Sequence, residues 1–163
     1  MELINVSKDE INNLANLCSE IWHEYWPYIL TEEQIDYMLE KFQSKSAIIE
    51  QIENDKYTYY LITVNNEKAG YLGISEKSDY LFLSKLYIKK EFRRQGIGKQ
   101  TFEKLKIISR KLGYLIIRLT VNKYNKNTIN AYLKYGFKIV DDYVADIGQG
   151  FVMDDYIMEY CIK

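Results

Sequence analysis

Apolar residues recur in two different rhythms along the chain, and each change of rhythm marks an element. Leu3-Ile4-Asn5-Val6 reads as a short strand, and Ser7 followed by Glu10 has the Ser-x-x-Glu pattern of a capping box, which predicts a helix after it. Ile11, Leu14, Ala15, Leu17 and Cys18 then return at helical spacing as far as Ile21 and Trp22, until Pro27 interrupts the pattern. Thr31 with Gln34 offers a second capping box before Ile35, Met38, Leu39 and Phe42. Two helices joined by the aromatic turn Trp22 to Tyr28 are thus predicted for the first quarter of the chain.

From Tyr57 the pattern becomes β-rich, with strands predicted over Tyr57 to Val64, Lys68 to Ser75 and Tyr80 to Ile88, separated by polar turns. Helical periodicity returns from Gly96 to Leu112 and stops at Gly113. Leu115 to Val121 reads as an apolar strand, Asn125 to Tyr135 as a helix, and Phe137 to Tyr143 and Phe151 to Tyr160 as two further strands. The segment Asp146 to Phe151 reads as the turn that sets the last of them. This order predicts a mixed α/β (α+β) sheet with helices packed on it, and a right-handed crossover where strand, helix and strand follow one another in the middle.

Composition narrows the function more than the fold. With 163 residues, 47% of them hydrophobic, the chain suits a single domain over 1–163 that needs no staples. The 22 basic and 23 acidic residues nearly cancel, so nothing in the totals points to nucleic acid or a membrane surface, and a small substrate is expected. Two cysteines without CxxC spacing and a single histidine, His23, argue against disulfides and against a metal site. The acidic start and the lack of a long apolar run predict a cytoplasmic protein without a signal peptide or a membrane span.

The chemistry concentrates in one loop. The strand ending at Ile88 runs into Lys89-Lys90-Glu91-Phe92-Arg93-Arg94 and then Gln95-Gly96-Ile97-Gly98-Lys99 at a helix start. Glycines let backbone approach phosphate oxygens, free N–H groups and the helix dipole favour an anion there, and the arginines add charge-assisted bonds. A Walker loop is excluded, because Gly98-Lys99 is followed by Gln100 and Arg93 stands where its first glycine belongs. A dinucleotide fingerprint is excluded because Thr101 replaces its third glycine and the loop follows a meander strand.

The pattern Arg93-x-x-Gly96-x-Gly98 resembles the Gln/Arg-x-x-Gly-x-Gly/Ala motif of the GNAT superfamily of N-acetyltransferases. A second motif resembles that family too, with Asn122, Asn125, Thr128, Tyr132 and Gly136-Phe137 in register, and the element order from Leu3 to Tyr160 agrees. The resemblance implies a mostly antiparallel mixed sheet with helices on both faces and a splayed central strand pair, holding acetyl-CoA (coenzyme A) in the gap. It implies that the segment Leu86, Tyr87 and Ile88 binds the thioester end, that Arg93, Arg94, Gln95, Gly96, Ile97, Gly98 and Lys99 hold the pyrophosphate, and that Asn125 helps to hold the pantetheine arm.

The resemblance further implies an enzyme that transfers acetyl to a primary amine, by direct attack in a ternary complex, with Tyr132 as general acid to the leaving thiolate. An alkylammonium has a pKa of about 10.4, so deprotonation near pH 7.4 costs roughly 4 kcal/mol and some base or water path is needed. Some relatives carry a glutamate on the strand before the loop, where this chain has Asp79, Ser84, Lys85 and Tyr87. Water shuttled by Glu32, Glu33, Asp36, Asp154 or Asp155, or His23 itself, are the alternatives. Tyr25, Tyr28, Tyr37, Asp154 and Asp155 are the expected acceptor residues, by charge and cation–π contact. Polyamine-type small amines come first among acceptors, exposed strand edges are compatible with a homodimer, and a non-catalytic acyl-CoA sensor is the competing class.

Overall fold

A computed structural model describes residues 1–163. Its seven strands are β1 (Glu2–Asn5), β2 (Tyr57–Val64), β3 (Glu67–Glu76), β4 (Leu81–Ile88), β5 (Ile116–Asn122), β6 (Lys138–Gly148) and β7 (Phe151–Cys161). They form one sheet in the order β1-β2-β3-β4-β5-β7-β6. Every neighbouring pair is antiparallel except β4 and β5. Mixed sheet and element order therefore agree with the reading of the sequence.

Five helices cover the two faces: α1 (Ile11–Tyr25), α2 (Glu32–Gln43), α3 (Lys45–Asn54), α4 (Ile97–Lys111) and α5 (Lys126–Tyr135). The first three pack Leu14, Ile21, Ile35 and Ile48 against Tyr59, Leu61 and Tyr71 of β2 and β3. On the opposite face Phe102 and Leu105 of α4 and Ile129 of α5 close over Leu72, Leu83, Ile117 and Leu119. Helix α3 lies outside the two helices expected for this region. Its start is set by Ser44, whose Oγ accepts from the amide of Ala47 at 3.3 Å, a cap that needs no glutamine or glutamate partner.

The two predicted capping boxes fare differently. Thr31 Oγ1 accepts from the Gln34 amide at 3.2 Å. Ser7 makes no such bond. A 3₁₀ turn over Lys8–Glu10 intervenes instead and α1 begins at Ile11, so the capping residue stands one short turn ahead of the helix it was expected to start.

Two irregularities position the site. Pairing between β4 and β5 is confined to Leu81↔Ile117 and Phe82↔Arg118, so beyond Phe82 the two strands part and expose backbone groups along both inner edges. In β4 itself the register passes from Ile74↔Leu83 to Gly73↔Lys85. Ser84 is the extra residue of a bulge, and the strict alternation of faces breaks there. Lys85 and Tyr87 consequently face the α1–α3 layer, while Leu86 and Ile88 pack on the α4 side.

Candidate active site

The parted strands open a cleft of about 1010 Å³ that runs through the sheet. Its α4 side is lined by Leu86, Ile88, Arg93, Arg94, Gly96, Ile97, Gly98, Tyr132 and Tyr135, and its α1 side by Trp22, Tyr25, Trp26, Ser84, Lys85, Tyr143 and Asp155. Asn122 and Asn125 stand between the two.

The loop before α4 is built to receive an anion. Gly96 caps the helix at φ 79°, and Arg94 also adopts a left-handed φ of 62°. Arg93 N–H is bonded to Lys90 and Gln100 N–H to Gly96. The amides of Gly96, Ile97, Gly98 and Lys99 have no backbone acceptor, so unpaired donors gather at the positive end of a 15-residue helix dipole. Gly98 leaves room beside them: a Cβ there would stand 3.3 Å from the Tyr135 hydroxyl.

Arg93 is largely engaged by the loop and by α1. Its Nε donates to the Ile88 carbonyl at 2.8 Å, Nη1 lies 3.7 Å from Glu24 and the guanidinium sits 5.1 Å over the Tyr25 ring. Gln95 donates to the Glu91 carbonyl at 2.7 Å and, like Lys99, lies outside the cleft lining. The amides are therefore free for phosphate, and of the Arg93 guanidinium only Nη2 is without a partner.

Asn125 has two duties within the protein. Its Oδ1 caps α5 through the Thr128 amide at 3.4 Å and accepts from the Tyr25 hydroxyl at 3.0 Å. Only its amide NH₂ remains to reach a pantetheine arm. Two turns along α5 stands Tyr132, 8% exposed, whose phenol is pushed well up by burial, with the phenols of Tyr25 and Tyr135 adding to the effect. It stays protonated, and so a donor, throughout the physiological range.

The acceptor-side residues divide sharply. Tyr25 and Asp155 line the cleft. Asp155, 6% exposed, is raised from 3.8 to about 6, chiefly by burial, with repulsion from Asp154 adding to it and a bond from Thr120 opposing it; its Oδ1 has no partner. Asp154 faces the other way and pairs with Lys123 at 2.7 Å. Tyr28 is 90% exposed, because in the one-turn 3₁₀ helix Trp26–Tyr28 it is Trp26 that turns inward. Tyr37 is a latch: its hydroxyl donates to the Ile147 carbonyl at 2.6 Å and its ring packs on Phe151. These three stand outside the cleft, contrary to expectation, because a strand alternates faces and a helical turn directs only some of its aromatics inward.

The base candidates Glu32, Glu33, Asp36 and His23 are absent from the cleft lining as well. His23 is held on the surface by the Ser19 carbonyl at 2.9 Å and by Asp36 at 2.8 Å. Among the cleft residues without a role in the sequence analysis are Ser84 and Lys85. A lysine in the middle of the apolar strand Leu81–Ile88 was the signal that could have found them. Lys85 Nζ donates to Ser84 Oγ at 2.9 Å, Ser84 Oγ also meets the Tyr57 hydroxyl at 3.0 Å, and burial lowers the Lys85 ammonium from 10.5 to about 8.

Comparison with known proteins bears on what such a cleft holds. A family model described as an acetyltransferase (GNAT) domain matches residues 29–154. Spermidine N(1)-acetyltransferase of Thermoplasma acidophilum is 25% identical over 158 residues, which is 94% of this chain and 96% of that protein. Thialysine N-epsilon-acetyltransferase of Caenorhabditis elegans is 25% identical over 136 residues, 80% of this chain and 79% of its own. The crystal structure of the PaiA N-acetyltransferase of Thermoplasma acidophilum in complex with coenzyme A superposes with a TM-score of 0.81 at 24% identity, covering 98% of each chain.

Proposed function

From the premise that this chain belongs to the GNAT acetyltransferase family and is an N-acetyltransferase using acetyl-CoA, we propose that it acetylates a primary amine of a small molecule by direct attack in a ternary complex. The observation that carries this reading is the continuity of the cleft. One opening in the sheet joins the free amides at the start of α4 to Tyr132 and then to Asp155. An acyl donor held on the α4 side would thus meet an amine entering from the α1 side.

In this reading the amides of Gly96 to Lys99 hold the pyrophosphate, and the unpaired edge of β4 from Leu83 to Ile88 hydrogen-bonds the pantetheine chain as an added strand would. Tyr25 and Asn125 fix the wall opposite. Asp155, ionised above its pKa of about 6, receives the acceptor ammonium and takes its proton as the nitrogen attacks. Its raised pKa makes the transfer less uphill, by about 1.4 kcal/mol for each unit. The N–C bond forms and the C–S bond breaks while Tyr132 gives its proton to the leaving sulfur, and the second proton lost by the nitrogen restores the phenol.

The relatives above, whose names give a polyamine and an amino acid as acceptors, support a small amine as the acceptor class. Acceptor-dependent thiol release from acetyl-CoA, measured over polyamines, amino acids, aminoglycosides and peptides with mass identification of the product, tests the reading. Release with a small amine and a matching N-acetyl product is the expected result. Binding of coenzyme A without transfer to any amine would replace it with a sensor function.

A further inference from the structure

Five charged side chains line the cleft: Lys85, Arg93, Arg94, Lys134 and Asp155. Arg93, Arg94 and Lys134 belong to the phosphate loop and to α5, on the cofactor side. The α1 side therefore presents one cation and one carboxylate, on different strands.

Lys85 is placed there at some cost. The bulge at Ser84 turns it toward the α1–α3 layer. Its stem lies flat over Gly73 of β3, where a Cβ would come within 3.0 Å of Lys85 Cγ and 2.8 Å of Tyr59 Cε1. A glycine in the middle of a strand marks this kind of close approach. The ammonium so positioned has no carboxylate partner: its hydrogen bond goes to the neutral hydroxyl of Ser84. Lys89 and Lys123, by contrast, pair with Glu20 and Asp154. Two of its three donors are left for the cleft, and a partly buried cation without a counter-ion calls for an anionic ligand.

Asp155 has the complementary need, since its buried Oδ1 has no partner. It stands opposite Asn122. Counting along the parallel strands from the last pair, Phe82↔Arg118, and omitting the bulged Ser84, Lys85 lies level with Thr120. Asp155 therefore lies two residues further along β5 than Lys85, on the opposite flank of that strand. With two strand spacings across and about 7 Å along the strand, they stand roughly 12 Å apart before the splay is added.

We propose that Lys85 and Asp155 together select an acceptor bearing a carboxylate several bonds from its reacting amine, an ω-amino acid in preference to a diamine or polyamine. Lys85 binds the carboxylate, and Asp155 receives the amine. This inference rests on the acetyltransferase reading above. A polyamine would bring its second cation against the Lys85 ammonium, whereas an amino acid brings the missing counter-ion.

Matched acceptors differing only in the carboxylate test it: lysine against cadaverine, and ornithine against putrescine, followed by thiol release from acetyl-CoA. The wild-type kcat/KM should favour the amino acid by roughly ten- to hundredfold, as the loss of a charged hydrogen bond implies. Lys85→Met should bring each ratio near or below unity, and Lys85→Glu should invert it, with coenzyme A titration showing that both variants retain the cofactor site. A wild-type preference for the diamines, or a ratio that survives Lys85→Met, overturns the inference, as would accumulation of an acetyl group on Lys85 itself. Turnover of other amines with neither series accepted also overturns it while leaving the transferase intact. No turnover with any amine removes the transferase reading first.

Discussion

The Tyr25 hydroxyl, near the end of α1, donates to Asn125 Oδ1 at the start of α5 across 3.0 Å and lies 2.7 Å from Thr128 Oγ1. One phenol thus ties the two helical layers together over the cleft. Removing it in Tyr25→Phe leaves the Asn125 cap without its second partner and the Arg93 stacking intact. The expected loss is about 1 kcal/mol of stability per hydrogen bond, together with weaker coenzyme A binding, read by denaturant unfolding and by calorimetry. Unchanged values for both would mean that the bridge carries no load.

Gly96 should not tolerate a side chain. Its φ of 79° lies where L-residues are strained, by about 1–2 kcal/mol, and more for a β-branched one. Gly96→Val should abolish measurable coenzyme A binding in a calorimetric titration while the fold, checked by circular dichroism, persists. A dissociation constant within twofold of wild type would remove the anion site from the start of α4.

Tyr132→Phe separates chemistry from binding. The phenol makes its contribution only as charge develops on sulfur, so coenzyme A affinity should change by less than about twofold while kcat falls roughly 10²-fold or more. Equal turnover in the two proteins would leave Tyr132 as a packing residue of α5.

Asp155 should link activity and stability in opposite senses. Because burial raises its folded pKa from 3.8 to about 6, the folded chain holds this proton more tightly than the unfolded one. Folding therefore becomes less favourable as pH rises from about 4 to 6, and the cost is constant above. Asp155→Asn should raise stability at pH 7 to 8, by at most about 2–3 kcal/mol, with the gain vanishing near pH 4. The same variant should lose most acceptor kcat/KM, and the wild-type profile should climb through a pKa near 6. Thermal unfolding across pH and steady-state kinetics are the measurements.

His23, the sole histidine, gives a clean reporter. The Ser19 carbonyl first, and then Asp36, raise its pKa above the ordinary 6.5. Its contribution to stability is therefore complete below pH 6.5 and lost as pH rises through the folded value. Its NMR titration should show a raised midpoint, and Asp36→Asn should lower it; coincident midpoints in the two proteins would show that the pair is not populated. The pair is solvent-accessible, so added salt should reduce the difference.

The phosphate loop and the order of elements were legible because both are local. Gly96, Gly98 and the helical rhythm after them lie within a few residues of one another, as do Thr31 and the Gln34 amide that it caps. Residues whose role depends on which way one strand faces were harder. Tyr28 and Tyr37 look like pocket aromatics in a list of letters, yet a 3₁₀ turn sends one outward and Gly148's hairpin captures the other. Asp154 and Asp155 are neighbours in sequence and opposites in space, and only the pairing of β7 with β5 decides which of them enters the cleft. Lys85 was obscured by the bulge at Ser84, which no two-residue periodicity anticipates.

The gap between β4 and β5 has one more consequence. A strand edge able to capture a ligand through its backbone can equally capture another chain, and edges at the rim of a sheet carry that hazard. Here the unpaired groups face inward, between two strands already joined at Leu81 and Phe82 and roofed by helices on both faces. The molecule keeps its stickiest backbone in a place that a flexible thread can enter and a neighbouring sheet cannot.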